Sequence, residues 1–224
     1  MRIFFSELCL ICGRELYFEK VKNYALCDKC EKAIKPISGK RCEICGINLI
    51  SEQKKCTRCR EISYSFDKHK SLFYYSDRVK ELIYQYKFNK KIRLSYYFAA
   101  LFHKVIQERY GGIPIIPVPS QLHSVKKRGW DHMKEITNKL KPYHKIYYCL
   151  RRLAGKSQKI LNFEERRENI KGKISVILDR LPENNTALLI DDIFTTGATM
   201  NECARVLKEA GLQRIYSITL ALDW

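Results

Sequence analysis

Apolar and polar positions alternate along the chain in two different periods. Ala187, Leu188, Leu189 and Ile190 form a short unbroken apolar run, the pattern of a parallel strand buried on both faces. Two carboxylates, Asp191 and Asp192, end that run, and a short loop from Thr195 to Thr199 follows. Met200, Cys203, Val206, Leu207 and Ala210 then repeat at helical spacing. Thr199 and Glu202 stand at capping-box separation before that stripe, and Gly211 stands where a left-handed residue closes a helix. Leu212 to Leu222 predicts the next strand. Further upstream, residues 60–75 read as a linker that enters a strand at Ser71–Tyr75. Val79, Leu82, Ile83 and Tyr86 predict a helix through Phe88, and Tyr97, Ala100, Leu101 and Val105 predict another that stops at Gly111-Gly112. Ile113–Val118 predicts a buried strand with a rigid Pro117-Val118-Pro119 exit. A helix from about Asp131 to Leu140 and a strand at Ile146–Leu150 complete the pattern. Strands alternating with helices predict an α/β fold with a parallel sheet flanked by helices.

The cysteines divide the chain. Eight of the 10 form the pairs Cys9/Cys12, Cys27/Cys30, Cys42/Cys45 and Cys56/Cys59, each with two residues between. Two such turns supply four thiolates to one tetrahedral zinc ion, so the chain predicts two closed structural zinc sites and a small N-terminal double zinc ribbon. Gly13 and Gly46 each follow a pair, where the chain needs a left-handed residue. Sequential ribbons, 9/12/27/30 with 42/45/56/59, are the favoured arrangement, and interleaved ones, 9/12/42/45 with 27/30/56/59, fit the sequence nearly as well. No export signal is recognisable, which disfavours a disulfide framework. Cys149 and Cys203 lie in apolar surroundings and read as core residues. The expected domains are 1–62 for the ribbons and 63–224 for the α/β unit.

Charge adds a partner class. The formal net charge is +18 in 224 residues, and it is uneven: residues 120–173 hold 15 Lys/Arg against 5 Asp/Glu, whereas residues 174–224 hold 4 against 7. Zinc with eight thiolates makes the ribbon segment nearly neutral, so the basic excess belongs to the middle of the chain. Such a field suits polyanions, either nucleic acid or a pyrophosphate-bearing ligand. Lys87-Phe88-Asn89-Lys90-Lys91-Ile92-Arg93 mixes cations with aromatic and apolar residues, as single-strand nucleic-acid surfaces do. No charge-free stretch is long enough to predict membrane insertion, and a cytoplasmic protein is the default expectation.

The carboxylate pair and the loop carry the most specific signal. At the carboxyl end of a parallel strand, Asp191 and Asp192 occupy the ligand-binding edge of an open α/β sheet. Thr195, Thr196, Gly197, Ala198 and Thr199 can turn backbone N–H groups and hydroxyls toward an anion at a helix N-terminus. This segment resembles the phosphoribosyl-pyrophosphate loop of type I phosphoribosyltransferases, in which the acidic pair holds the ribose hydroxyls and the loop wraps the 5′-phosphate. Basic candidates for the pyrophosphate are Lys126, Lys127, Arg128, Arg151, Arg152 and Lys156.

In chain order, the zinc-ribbon cysteines, the Pro-Val-Pro strand exit, Arg128-Gly129-Trp130, Glu165-Arg166-Arg167-Glu168-Asn169-Ile170-Lys171-Gly172 and the Asp191–Thr199 loop resemble the ComF family over nearly the whole chain. That family commonly has Asn-Gln after the Arg-Gly-aromatic turn. This chain has Asp131-His132, so no family role is carried over to that pair. The resemblance implies a type I phosphoribosyltransferase-like domain that binds phosphoribosyl pyrophosphate with magnesium, and cytoplasmic handling of single-stranded DNA in natural transformation. It also implies a competence translocase or a recombination mediator as partner. An active phosphoribosyltransferase with an unidentified acceptor is the alternative. No catalytic residue and no nucleobase-recognising segment can be assigned.

Overall fold

The computed structural model describes residues 8–16, 26–50, 53–153 and 169–223. Its strands are β1 (Lys68–Tyr74), β2 (Ile115–Pro117), β3 (Leu150–Arg152), β4 (Ile174–Val176), β5 (Thr186–Phe194) and β6 (Arg214–Leu222). Its helices are α1 (Asp28–Lys32), α2 (Thr57–Glu61), α3 (Asp77–Phe88), α4 (Leu94–Arg109), α5 (Leu122–Arg128), α6 (His132–Leu140) and α7 (Ala198–Glu209). A parallel sheet runs in the order β1-β6-β5-β2, and β3 and β4 form a separate antiparallel pair.

The apolar run of β5 explains its central place. Leu188 and Ile190 pack toward α3, α4 and α6 with Leu82, Phe102 and Met133. Ala187 and Leu189 pack toward α7 with Cys203 and Leu207. Helices therefore cover both faces, as a parallel sheet requires. Cys149 and Cys203 are fully buried. Among the described residues, no helix is long and apolar enough to cross a membrane.

The ribbons seal the sheet edge. His69 N–H donates to the Ile44 carbonyl at 2.9 Å, and Ile37 N–H donates to the Leu72 carbonyl at 2.9 Å. Arg41 Nη1 adds a bond to the Ser71 carbonyl at 3.1 Å. The outer edge of β1 is thus paired with the N-terminal segment rather than left open. The expected linker packs too, with Phe66 only 1% exposed.

Several elements differ from the pattern reading. β5 does not stop at the carboxylates, because Asp191 and Phe194 still pair with Thr219 and Leu222 of β6. α7 lacks the capping box: Gly197, at φ 73°, takes the N-cap position, and Thr199 falls inside the first turn. Glu202 instead turns inward, accepting from Gly172 N–H at 2.8 Å and from Arg205. α4 buries Leu94, Phe98, Phe102 and Ile106, while Ala100 is exposed, so its inward stripe is rotated from the one read above. Of the strand expected at Ile146–Leu150, Ile146 keeps one bridge to Ile115 and Leu150 opens β3, which pairs with β4 instead. Tyr148 is drawn off to α6 by a 2.8 Å bond with Thr137. α5, which has few apolar positions, was not foreseen. Gly129 ends it at φ 83°.

Candidate functional site

Two cysteine clusters form in sequential order, Cys9/Cys12/Cys27/Cys30 and Cys42/Cys45/Cys56/Cys59, each with all four sulfurs within 4.8 Å. The short helices α1 and α2 begin just after Cys27 and Cys56, so a single turn returns Cys30 and Cys59 to the cluster. Cys12 and Cys27 lie 3.8 Å apart, and Cys45 and Cys56 lie 3.7 Å apart. Zinc–sulfur bonds of about 2.3 Å give a tetrahedral edge of about 3.8 Å, so the spacing suits that ion. The backbone N–H groups of Cys27 and Cys56 point at Cys9 and Cys42 sulfurs at 3.4 Å, as thiolate acceptors favour. Four sulfurs per cluster leave no coordination position for substrate, so the zinc suggested here is structural.

The second centre sits at the carboxyl end of β5. A cleft there is lined by residues that include Lys87, Ser120, Arg128, His132, Arg152, Asp191, Asp192 and Thr199. Asp192 is buried and receives both Lys87 Nζ and His132 Nε2 at 2.5 Å. Arg128 Nη2 lies 3.0 Å from the other ring nitrogen of His132. A guanidinium only donates, so Nδ1 must accept, which leaves the ring proton on Nε2 facing Asp192. Burial opposes ionisation of Asp192, but Lys87 and His132 outweigh it and hold its carboxyl well below the usual range. Asp191 goes the other way. Burial and the adjacent Asp192 charge push its carboxyl up to about 8, with Lys87 and Arg152 opposing in part. Two neighbouring carboxylates thus differ in charge near neutral pH, one as a fixed anion and one holding a proton.

The loop beneath them is braced from the ribbon side. Thr196 Oγ1 accepts the Ala198 N–H at 3.2 Å, which helps close the turn into α7. Tyr64 donates a long 3.4 Å bond to the Thr196 carbonyl, and Ser65 N–H donates to Asn201 at 2.5 Å. Tyr64 stacks on Phe66 at 4.8 Å, and Phe194 stacks on the buried His69 at 4.0 Å. His69 has Ser217 and Ser71 hydroxyls at 2.9 Å from its two ring nitrogens. Burial lowers its pKa to about 3, so it stays neutral. A Cβ on Gly197 would come within 2.6 Å of Phe194. Only glycine fits there, by space and by φ.

Residues 1–60 match the double zinc ribbon domain model, and residues 151–223 match the phosphoribosyl transferase domain model. Competence protein F of Haemophilus influenzae is 27% identical, covering 96% of both chains. Competence protein ComFC of Bacillus subtilis is 24% identical over 91% of this chain and 90% of its own. The ComFC of Streptococcus pneumoniae is 23% identical over 95% of this chain and 98% of its own. The chain is thus a homologue of competence proteins F and ComFC over nearly its full length. A hypoxanthine phosphoribosyltransferase of Staphylococcus aureus aligns with a TM-score of 0.34 and 15% identity, over 59% of this chain and 62% of that one.

In this homologue of the competence proteins, part of the expected site gathers in the cleft. Asp191, Asp192, Thr199, Arg128 and Arg152 line it. Thr195, Thr196, Gly197 and Ala198 build the turn behind Thr199. Lys126 and Lys127 are exposed on the last turn of α5, and Arg151 is exposed on β3, outside the cleft lining. Arg152 alternates to the inner side because a strand sends successive side chains to opposite faces. Lys156 and the Glu165–Glu168 part of the family motif lie outside the described residues. Lys87 was missed as a site residue, although a signal was present: it continues the inward Val79–Ile83 spacing of α3, a lysine in an apolar stripe. His132 was set aside as a departure from the family pattern. Asp131 caps α6 by accepting from Met133 N–H and Lys134 N–H, which aims the first helical residue, His132, at the cleft.

Proposed function

We propose that this protein binds phosphoribosyl pyrophosphate with magnesium in the Asp191/Asp192 cleft, binds single-stranded DNA through its basic middle region, and acts in the cytoplasm in DNA uptake during natural transformation. The carboxylate pair at the end of β5, set beside the Gly197 turn and faced by Arg128 and Arg152, carries the reading. It supplies acceptors for a ribose diol, a helix N-terminus for a phosphate and guanidinium groups for a pyrophosphate. Magnesium would arrive on the pyrophosphate and offset its charge. The competence role rests on the relatives' names, competence protein F and competence protein ComFC. We assign residues 1–62 to the ribbons, with two structural zinc ions, and 63–224 to ligand binding. A competence translocase or a recombination mediator would be the protein partner.

Calorimetry with phosphoribosyl pyrophosphate and magnesium tests this. The expected result is binding by the wild type and none by the folded Asp191→Asn/Asp192→Asn variant. Equal affinity in the two proteins overturns the assignment. The turnover alternative, a phosphoribosyltransferase with an unidentified acceptor, rests on Arg128 and Arg152 being placed to stabilise a departing pyrophosphate. Pyrophosphate release on adding single-stranded DNA would favour it.

A further inference from the structure

The corner between α3 and α4 carries a surface that the cleft does not use. Lys80, Tyr84 and Phe88 repeat every four residues along α3 and turn away from its buried face. Tyr84 is 50% exposed and Phe88 58%, and their ring centroids lie 5.1 Å apart. Ile92, in the corner itself, is 40% exposed. Paired aromatic rings left in water need a reason, since burying them would be favourable.

Charge surrounds these rings. Arg78, Lys80, Lys90, Lys91 and Arg93 are all exposed. Residues 77–93 hold six basic side chains, with Lys87 the sixth, against Asp77 and Glu81, a net +4. The corner is also preformed. Lys90 takes the left-handed conformation at φ 54°, which a non-glycine residue adopts only when its surroundings enforce it. Asn89 Nδ2 donates to Gln85 Oε1 at 3.0 Å, and Lys91 N–H donates to the Gln85 carbonyl at 3.2 Å. The Ile92 and Leu94 N–H groups close the next turns onto Lys90 and Lys91. A surface already ordered loses little entropy when a ligand docks.

We infer that the α3–α4 corner is a base-stacking platform for single-stranded nucleic acid, with Tyr84 and Phe88 as the stacking rings and Lys80, Lys90 and Lys91 as phosphate contacts. This rests on the proposed single-stranded DNA binding and gives it a seat. Duplex DNA keeps its base faces covered, and an acidic polypeptide offers charge but no row of flat rings; an unpaired strand offers both. Lys87, one residue before Phe88, reaches Asp192 from the same turn of α3. The helix thus presents one face to the cleft and the next to the strand.

Fluorescence anisotropy with a labelled oligothymidine strand, over a salt series on the full zinc-loaded chain, tests the platform. Tyr84→Ala/Phe88→Ala should weaken binding roughly 25-fold or more, at about fivefold or more per ring lost, with the salt dependence unchanged. Lys90→Gln/Lys91→Gln should instead flatten the logarithmic salt slope by about 1.4. Phe88→Leu, which stays apolar but has no ring face, should also lose affinity. All these side chains are exposed, and an unchanged melting temperature confirms the fold of each variant. If the wild type binds the strand and the aromatic double variant binds equally well, the platform is wrong while the DNA reading stands. If the wild type binds no strand at all, that reading fails first. Tighter binding of a matching duplex, or displacement of the strand by polyglutamate at equal charge, overturns the choice of partner.

Discussion

Asp191→Asn should stabilise this protein while removing its proposed ligand. In the folded chain, burial and the Asp192 charge push the Asp191 carboxyl from its usual 3.8 to about 8. The folded state therefore holds a proton that the unfolded chain releases above about pH 4. The sign follows from linkage: this group's contribution is fully present below the unfolded value and is lost as pH rises through the folded one. Each pH unit of that window is worth about 1.4 kcal/mol, so a fully isolated carboxyl would lose about 6 kcal/mol. Asp191 is only partly buried, and solvent screening in the open cleft brings the loss to about 2 kcal/mol. Asparagine cannot ionise and escapes it. Asp192, held low by Lys87 and His132, contributes the opposite slope as pH falls, in wild type and variant alike. Urea denaturation from about pH 5 to about pH 8.5 should show the two proteins diverging as pH rises, with the variant ahead by about 2 kcal/mol at the alkaline end. In the same samples, phosphoribosyl pyrophosphate with magnesium should raise the melting temperature of the wild type alone. A stability gap that does not change with pH would refute the electrostatic account.

Native mass spectrometry should find two zinc ions per chain, one for each cysteine cluster, and a count of one or none rejects the ribbon assignment. Stripping the zinc should lower the melting temperature, because Ile37 and Ile44 pair with β1 from within the ribbon segment. Gly197→Ala places a side chain at φ 73° and 2.6 Å from Phe194, whose ring is held by His69. Left-handed strain and overpacking together should cost roughly 2–5 kcal/mol in urea denaturation, and a change under about 0.5 kcal/mol would show that the loop relaxes freely.

Much of the architecture was legible because it rests on local rules. Val79, Leu82, Ile83 and Tyr86 mark the buried face of α3, and Ala187–Ile190 marks the central strand, since burial on one or both sides leaves its period in the chain. The paired cysteines announce metal sites because a two-residue gap brings two sulfurs to one corner. Where the chain supplied only composition, it could not rank the candidates. Lys126, Lys127, Arg128, Arg151 and Arg152 looked alike as cations, yet only Arg128 and Arg152 face the cleft. Which face a residue presents depends on where α5 ends and how β3 pairs, and both are decided by distant contacts. Glu202 has the spacing of a cap but is taken by Gly172 and Arg205.

By itself, the sequence determined the central strands and their main flanking helices, the eight paired cysteines, the basic middle and the acidic pair at a strand end, because each is written in spacing or residue type. Tertiary structure settled the choice between sequential and interleaved ribbons, and it alone decided that the ribbons close the edge of β1 and that Lys87 and His132 converge on Asp192. Lys87 and Asp192 are separated by more than 100 residues, and no local period can encode their meeting. Only the packing of α3 and α6 against the end of β5 brings them together, and there Lys87 and His132 hold Asp192 ionised while burial and the Asp192 charge keep a proton on Asp191.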